Sequence, residues 1–549
     1  MHFSLLSADL ILLILDAADP ESLLQFCRAC KWIRYMVMET TGLRYRVELV
    51  LAGMKDGPPS QYRAHVRLDQ LLSYKKSWPA LAWSQPEDTL KITTPTFMGI
   101  SGGFFFHARQ RSGPQYHWAL EIYELRSHRI GRPTSTLRHY KFNINFEVKN
   151  VVIDPSQNLL ALVELDQAYD AHSSSVRLHC RDLHTCNIHP RARAPVFVLS
   201  PYNSRDAMLD SQQTSVQQVE VCGSRVAISI RSMDAFETIS TDLFVVDWMQ
   251  NKIKTWSAEM ISFQFLNEKR MVIAAQTAGD TDLIPGYGHG SGHLHGGPYQ
   301  KTKTMTPRLL LGDISNSADP TIPVLRVFKF PETWTAISSI NIIPNLSSPS
   351  ESCTAPGTLF YADPAKRIFA VSIEFDPDVI GRNQASHLMV VLEESFFQPA
   401  MRNEPMKLGW PQWEHSCIVN NMSDHAYCFK VVGRRLLHLQ SNENLTAPTS
   451  RLYTVEFKLP GPPRYHDSQP YHNAAGPPMI CPSRGTAMMK NRMNPSVRTN
   501  AMEVYSVTLF DASEDSIVLY EGNGKTTLVR MLTFGKLVPT RGSTSCYSI

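Results

Sequence analysis

The apolar positions of this chain follow two different periods. Leu10, Ile11, Leu12, Leu13, Ile14 and Leu15 are apolar without interruption. Ser7 before them is a helix-capping residue, and Asp9 is an anion suited to a first turn. A short helix that is apolar on every face must be covered on more than one side. A module of residues 1–50 is too small to cover both sides, so something outside it is expected on the second. Asp19-Pro20-Glu21 reads as another helix start, with Asp19 as cap and Pro20 at the first helical position. Leu23, Leu24, Cys27 and Cys30 follow at helical spacing, and Trp32, Ile33, Met36 and Val37 extend the apolar face. Gly53, Gly57, Pro58 and Pro59 end the next helix. A further helix places Ala64, Leu68, Leu71 and Leu72 on one face and runs into Trp78.

From about residue 90 the helical period gives way to short runs rich in Val, Ile, Phe and Tyr, separated by Gly, Pro, Asn and Asp. They include Thr96–Phe106, Val219–Ile230, Phe263–Ala275, Thr358–Tyr361 and Ile368–Phe375. Val151–Asp154 and Leu159–Val163 flank a polar turn. Gly357–Phe375, with Asp363-Pro364, has the same form, and Leu243–Ile253 reads as the third-to-fourth strand hairpin of a propeller blade. Many antiparallel hairpins in one region need a closed or radial arrangement to remove their edges. The expected fold is therefore a small all-α module and linker helix followed by a large all-β domain, a β-propeller of six to eight blades. A pair of sandwich domains is the alternative. The Gly-His…Trp-Asp signature is absent, so the repeat is degenerate. Gly279–Thr306, Asn345–Pro356 and Gly461–Asn500 read as surface insertions, where binding specificity tends to sit.

Composition narrows the classes. With 43% hydrophobic and 19% charged residues over 549 positions, a folded chain of two or more units is expected. A net charge of +4 is no basis for nucleic-acid binding. Ten scattered cysteines indicate reduced thiols and a cytoplasmic or nuclear setting. No run approaches the ~20 apolar residues of a membrane span. Leu10–Leu15 is flanked by Asp9 and Asp16 with no Lys or Arg before it, unlike a signal peptide.

Three motifs resemble catalytic or metal sites. Gly99-Ile-Ser101-Gly-Gly103 fits the nucleophile elbow, yet Phe104-Phe105-Phe106 continues as strand rather than helix. Gly522-Asn-Gly524-Lys525-Thr526-Thr527 ends like a phosphate-binding loop, but Leu519 stands where the first glycine belongs. His289, His293 and His295 lie among glycines that leave a metal shell without support. Cys27 and Cys30 lack the second ligand pair that structural zinc requires. No catalytic residue, cofactor or metal is expected.

The amino-terminal segments together resemble the F-box. Leu6-Ser-Ala-Asp-Leu10, Ile14-Leu15, Asp19-Pro20-Glu-Ser-Leu23-Leu24 and Cys30-Lys-Trp32-Ile33-Arg34 match its three-helix pattern, with Ser7 at the usual proline and Trp32 displaced by one place. Residues 51–86, with Trp78-Pro-Ala-Leu81-Ala-Trp83, are similar to the linker of a large group of fungal F-box proteins. The resemblance implies a non-catalytic substrate adaptor of a Skp–cullin–F-box ubiquitin ligase. Its F-box, residues 1–50, would dock on the Skp linker protein and through it on cullin. The residues implied for that contact are Leu6, Leu10, Ile14, Leu15, Leu23, Leu24, Cys27, Cys30, Trp32 and Ile33. Residues 87–549 would then hold a protein target. A Skp-binding scaffold acting outside a ligase is the alternative.

Overall fold

The computed structural model describes residues 6–84, 87–93, 95–111, 118–130, 138–167, 174–200, 213–233, 239–258, 260–277, 306–315, 319–331, 334, 337–350, 354–355, 357–375, 386–392, 406–414, 417–421, 426–441, 449–457, 497–505, 507–522 and 526–535. Five helices come first: α1 (Ala8–Ala17), α2 (Pro20–Ala29), α3 (Lys31–Glu39), α4 (Thr41–Ala52) and α5 (Ala64–Ala80). Their starts follow the capping chemistry of the sequence. Ser7 Oγ accepts from the Leu10 N–H, and Asp19 Oδ1 accepts from the Glu21 and Ser22 N–H groups at 3.0 and 2.9 Å. The continuous apolar face expected through Cys30 is broken there. Cys30 takes an extended conformation (φ −139°, ψ 119°), ending α2 and opening α3 in a new direction.

The rest of the molecule is a seven-bladed β-propeller. Blade 1 comprises Phe97–Ser101, Phe104–Gln110, Trp118–Glu124 and His139–Ile144, and blade 2 Val148–Asp154, Leu159–Gln167, Ser174–Asp182 and Val196–Leu199. Blade 3 is Gln213–Cys222, Arg225–Met233, Ile239–Asp247 and Lys252–Ala258, and blade 4 Met260–Asn267, Arg270–Thr277, Thr306–Asp313 and Val324–Lys329. Blade 5 is Ile337–Ile343, Ile368–Phe375, Ser386–Leu392 and Cys417–Asn421, and blade 6 Ala426–Val432, Arg435–Ser441, Thr449–Phe457 and Val497–Tyr505. Blade 7 takes Val507–Ala512, Ser516–Gly522 and Thr526–Thr533 from the end of the chain, but its outer strand, Asp88–Thr93, comes from just after α5. That strand ties the two ends of the β-domain into one ring.

The first strands of consecutive blades touch in a closed circuit, which excludes two separate sandwiches. Apolar faces of neighbouring blades interlock: Phe106, Leu120 and Ile122 of blade 1 pack on Val151, Ile153, Leu160 and Leu162 of blade 2. The innermost strands would still leave backbone groups unpaired at their open edges. Polar side chains from the preceding blade occupy them. Ser101 Oγ accepts from the Ile153 N–H at 2.8 Å, and Ser262 Oγ accepts from the Ile342 N–H at 2.9 Å. Glu220 accepts from the Phe265 N–H, and Asn345 Oδ1 accepts from the Gly433 N–H.

Several sequence expectations change. Thr96–Phe106, Val219–Ile230 and Phe263–Ala275 are each two strands, because short turns at 102–103, 223–224 and 268–269 fold the apolar run back on itself. Gly357–Phe375 is not a strand–turn–strand hairpin: Phe360–Ala362 pairs with Met54–Asp56 from the linker, and Ile368–Phe375 pairs with Ile337–Ile343. Asn345–Pro356 begins as buried structure rather than surface loop, since the Asn345 amide donates to the Ile368 and Gly433 carbonyls. Gly99–Gly103 is the first hairpin of blade 1, with Gly102 and Gly103 both at positive φ. Gly522 and Thr527 are cross-strand partners in blade 7; Gly524 and Lys525 lie outside the described residues, as do His289, His293 and His295.

Candidate interaction surface

The helical module has a small core of its own: Ile11, Leu15, Leu23, Cys27, Ile33, Val37, Leu43 and Val47. Leu6, Leu24 and Cys30 are half-buried against it. Leu15, Leu23, Cys27 and Ile33, expected from the resemblance to face a partner, are therefore turned inward. Their spacing selects the face that joins α1, α2 and α3 to one another. What remains outside is the opposite side of α1, where Leu10, Leu13 and Ile14 are 49%, 65% and 40% exposed. At i, i+3 and i+4 they share one helix face. Trp32 and Tyr35 of α3 are also exposed, at 46% and 66%. Leu13 and Tyr35 were not singled out from sequence. In a helix apolar all round, only the packed structure tells which leucines turn outward.

The module is held to the propeller by a mixed apolar and ionic joint. Tyr45, Leu49, Met54, Leu68, Leu71 and Trp78 form one core with Phe360, Leu437, Phe510, Ile517, Leu532 and Phe534 of the β-domain. Trp78 stacks on Phe534, with ring centroids 4.1 Å apart and planes at 21°. Leu68 and Leu71 are buried as their periodicity implied; Ala64 and Leu72 are half-buried, and the buried face of α5 also takes in Arg67, Gln70 and Tyr74. Met54–Asp56 runs antiparallel to Phe360–Ala362, and the Gly57 N–H donates to the Leu359 carbonyl at 2.8 Å. A Cβ at Gly57 would lie 1.8 Å from the Thr358 carbonyl oxygen, so only glycine permits this approach.

Beneath α5 lies a buried polar cluster. Arg129, from the loop between the third and fourth strands of blade 1, meets Asp515 through two contacts of 2.5 and 2.9 Å and Glu514 at 2.6 Å. Its third link donates to the Phe360 carbonyl at 3.0 Å. Burial works against the guanidinium charge, but Asp515 and Glu514 outweigh it and raise the pKa of Arg129. Tyr74 donates to the Glu514 carbonyl at 2.6 Å and accepts from Arg435 at 3.1 Å, and burial raises its pKa. Asp56 receives both Tyr45 and Arg67. At the rim, Lys366 of the propeller reaches Glu21 of α2 at 2.7 Å.

These propeller contacts come from the connections between first and second strands in blades 5, 6 and 7 and the strand residues adjoining them, from the end of the third strand of blade 7, and from the loop after the third strand of blade 1. The module therefore sits on one face of the ring, the face of the first hairpin turns. Among the described residues, no helix is long and apolar enough to cross a membrane, no group of His, Cys, Asp and Glu is arranged to hold a metal, and the cysteines are free thiols.

No family model and no curated protein matches the chain. Among solved structures it is similar to Drosophila Plexin A in complex with Semaphorin 1b, at 7% identity and a TM-score of 0.27 over 71% of this chain and 87% of that one. A likeness so distant carries no functional inference.

Proposed function

We propose that the chain is a substrate adaptor of a Skp–cullin–F-box ubiquitin ligase. The observation that supports this reading most is the outer face of α1, where Leu10, Leu13 and Ile14 stand in solvent on a module that has finished its own core. A contiguous apolar helix face of this kind marks a docking site, and the F-box resemblance supplies its partner, the Skp linker protein. The contact set narrows to Leu10, Leu13 and Ile14 of α1, together with the exposed Trp32 and Tyr35 of α3. Leu15, Leu23, Cys27 and Ile33 shape that surface from inside.

The adaptor makes and breaks no bonds in this reading. It supplies proximity, holding the lysines of a target near a ubiquitin-charged enzyme. The joint serves that purpose, because a module packed through Trp78 and tied through Tyr74 to Glu514 and Arg435 sets the direction in which a bound target points. The module covers the first-turn face at blades 5, 6 and 7, which leaves the opposite face open to a protein target.

Co-purification of the full chain with Skp is the test, with cullin in the same complex and its loss on Leu10→Asp plus Ile14→Asp. A wild-type chain that recovers no Skp overturns the reading. Skp without cullin, and no protein that accumulates on deletion of the gene, transfers the chain to the scaffold class.

A further inference from the structure

The joint encloses a small cavity, about 10 Å³ of space open to the centre of a water molecule. It lies where the end of α4 meets the first turns of blades 6 and 7 and the loop after the first strand of blade 5. Its apolar lining is Ala52, Met54, Ala362 and Val432. Four polar atoms on residues of the same wall are buried and have no hydrogen-bond partner: Ser347 Oγ, Arg434 Nη1, Arg435 Nε and Glu514 Oε1. Arg435 Nε is 3.6 Å from Glu456 Oε1, an ion-pair distance too long for a hydrogen bond. The other oxygen of Glu514 is committed to Arg129 at 2.6 Å.

Leaving four such groups empty-handed at one site is costly, because each buried donor or acceptor without a partner loses its solvation with nothing in return. The chemistry of the set limits what satisfies it. Two N–H groups donate, one carboxylate oxygen accepts and one hydroxyl does either. An anion is disfavoured by Glu514 and Glu456, and a cation by the two guanidinium groups. A water molecule accepts two hydrogen bonds and donates two, and buried waters characteristically make about three.

We propose that a single internal water occupies this cavity. It accepts from Arg434 Nη1 and Arg435 Nε and donates to Glu514 Oε1 and Ser347 Oγ. Gly53 keeps the site open: a Cβ there would meet Arg434 Nη1 at 2.6 Å and push the guanidinium into the space. The water links blades 5, 6 and 7 to one another beneath the end of α4, next to the apolar contact made by Trp78.

A crystal structure of the full chain, at a resolution that places ordered waters and with a second crystal grown in bromide, tests this. The expected result is one isolated water-sized peak within hydrogen-bond distance of at least three of the four atoms, with no anomalous signal from bromide. An empty cavity overturns the proposal, as does a side chain that closes it. An anomalous bromide peak also overturns it, in favour of an anion site.

Discussion

The helical module and the propeller solve the problem of leftover apolar surface in opposite ways. In the propeller each blade covers the next, the ring closes through Asp88–Thr93, and open inner edges are filled by side chains such as Ser101, Ser262 and Asn345. The module has eight buried apolar residues in its own core, leans on the β-domain through α4 and α5, and leaves Leu10, Leu13 and Ile14 in water. A ring that has satisfied itself can present its loops without being reshaped by what they bind. A module with spare apolar face is complete only when something else covers it. In the proposed reading, docking therefore belongs to the small helical part and recognition to the large one.

The joint is where the comparison breaks most easily. Trp78→Ala removes a fully buried indole shared by both regions, with an expected loss of about 3–5 kcal/mol. Limited proteolysis should then release the module while the ring persists. Arg129→Ala leaves Asp515 and Glu514 buried without their cation, for a similar loss of about 3–5 kcal/mol. A cleavage pattern identical to wild type in Trp78→Ala would show that the two regions do not depend on this contact, and unchanged chemical denaturation of Arg129→Ala would show that its cluster does not hold blades 1, 5 and 7 together.

Within the module, Leu15→Ala should cost about 2–5 kcal/mol as a core truncation. Leu13→Ala, on the exposed side of the same helix, should stay within about 0.5 kcal/mol in the chain alone. Equal effects on chemical denaturation would erase the distinction between the inner and outer faces of α1.

The ring offers a smaller and pH-dependent effect. Burial pushes Glu220 up to about 7, from an ordinary value of 4.5, although the Phe265 N–H and Gln218 donate to it and Arg367 opposes the rise. A carboxyl group whose pKa is raised on folding binds more protons in the folded state, so its contribution is full below about 4.5 and is lost as pH rises through about 7. Glu220→Gln retains an acceptor for the Phe265 N–H and should raise the melting temperature at pH 8 more than at pH 5. A shift that is equal at both pH values would show that the proton is not the cause. Also in the ring, Ser101→Ala should cost about 1 kcal/mol in chemical denaturation, one hydrogen bond between blades 1 and 2.

Much of this organisation was legible in the sequence, and the reasons are local. Caps at Ser7 and Asp19 act within one turn, so they mark helix starts directly. Turn residues such as Asp154 fold adjacent runs into hairpins, whereas the turn at Gly102 and Gly103 was hidden inside the apolar run Thr96–Phe106. What stayed hidden depended on distance in the chain. Met54–Asp56 pairs with a strand some three hundred residues away, and nothing in Phe360–Ala362 separates a joint strand from a blade strand. Arg129 and Asp515 are likewise joined only by the closing of the ring. The outer face of α1 was hidden for another reason: six consecutive apolar residues carry no polar marker, so periodicity could not divide Ile11 and Leu15 from Leu10, Leu13 and Ile14.

The central claim is that this outer face, rather than the leucines beneath it, docks the chain on Skp. Titration of purified Skp against the full chain and its Leu13→Asp variant tests it most directly, with melting curves of both run in parallel. Saturable binding by the wild type, weakened at least about 100-fold in Leu13→Asp (roughly 3 kcal/mol, within the range of interface hot spots) with an unchanged melting temperature, is the predicted result. Equal binding by the two chains, or none by the wild type, would contradict the account.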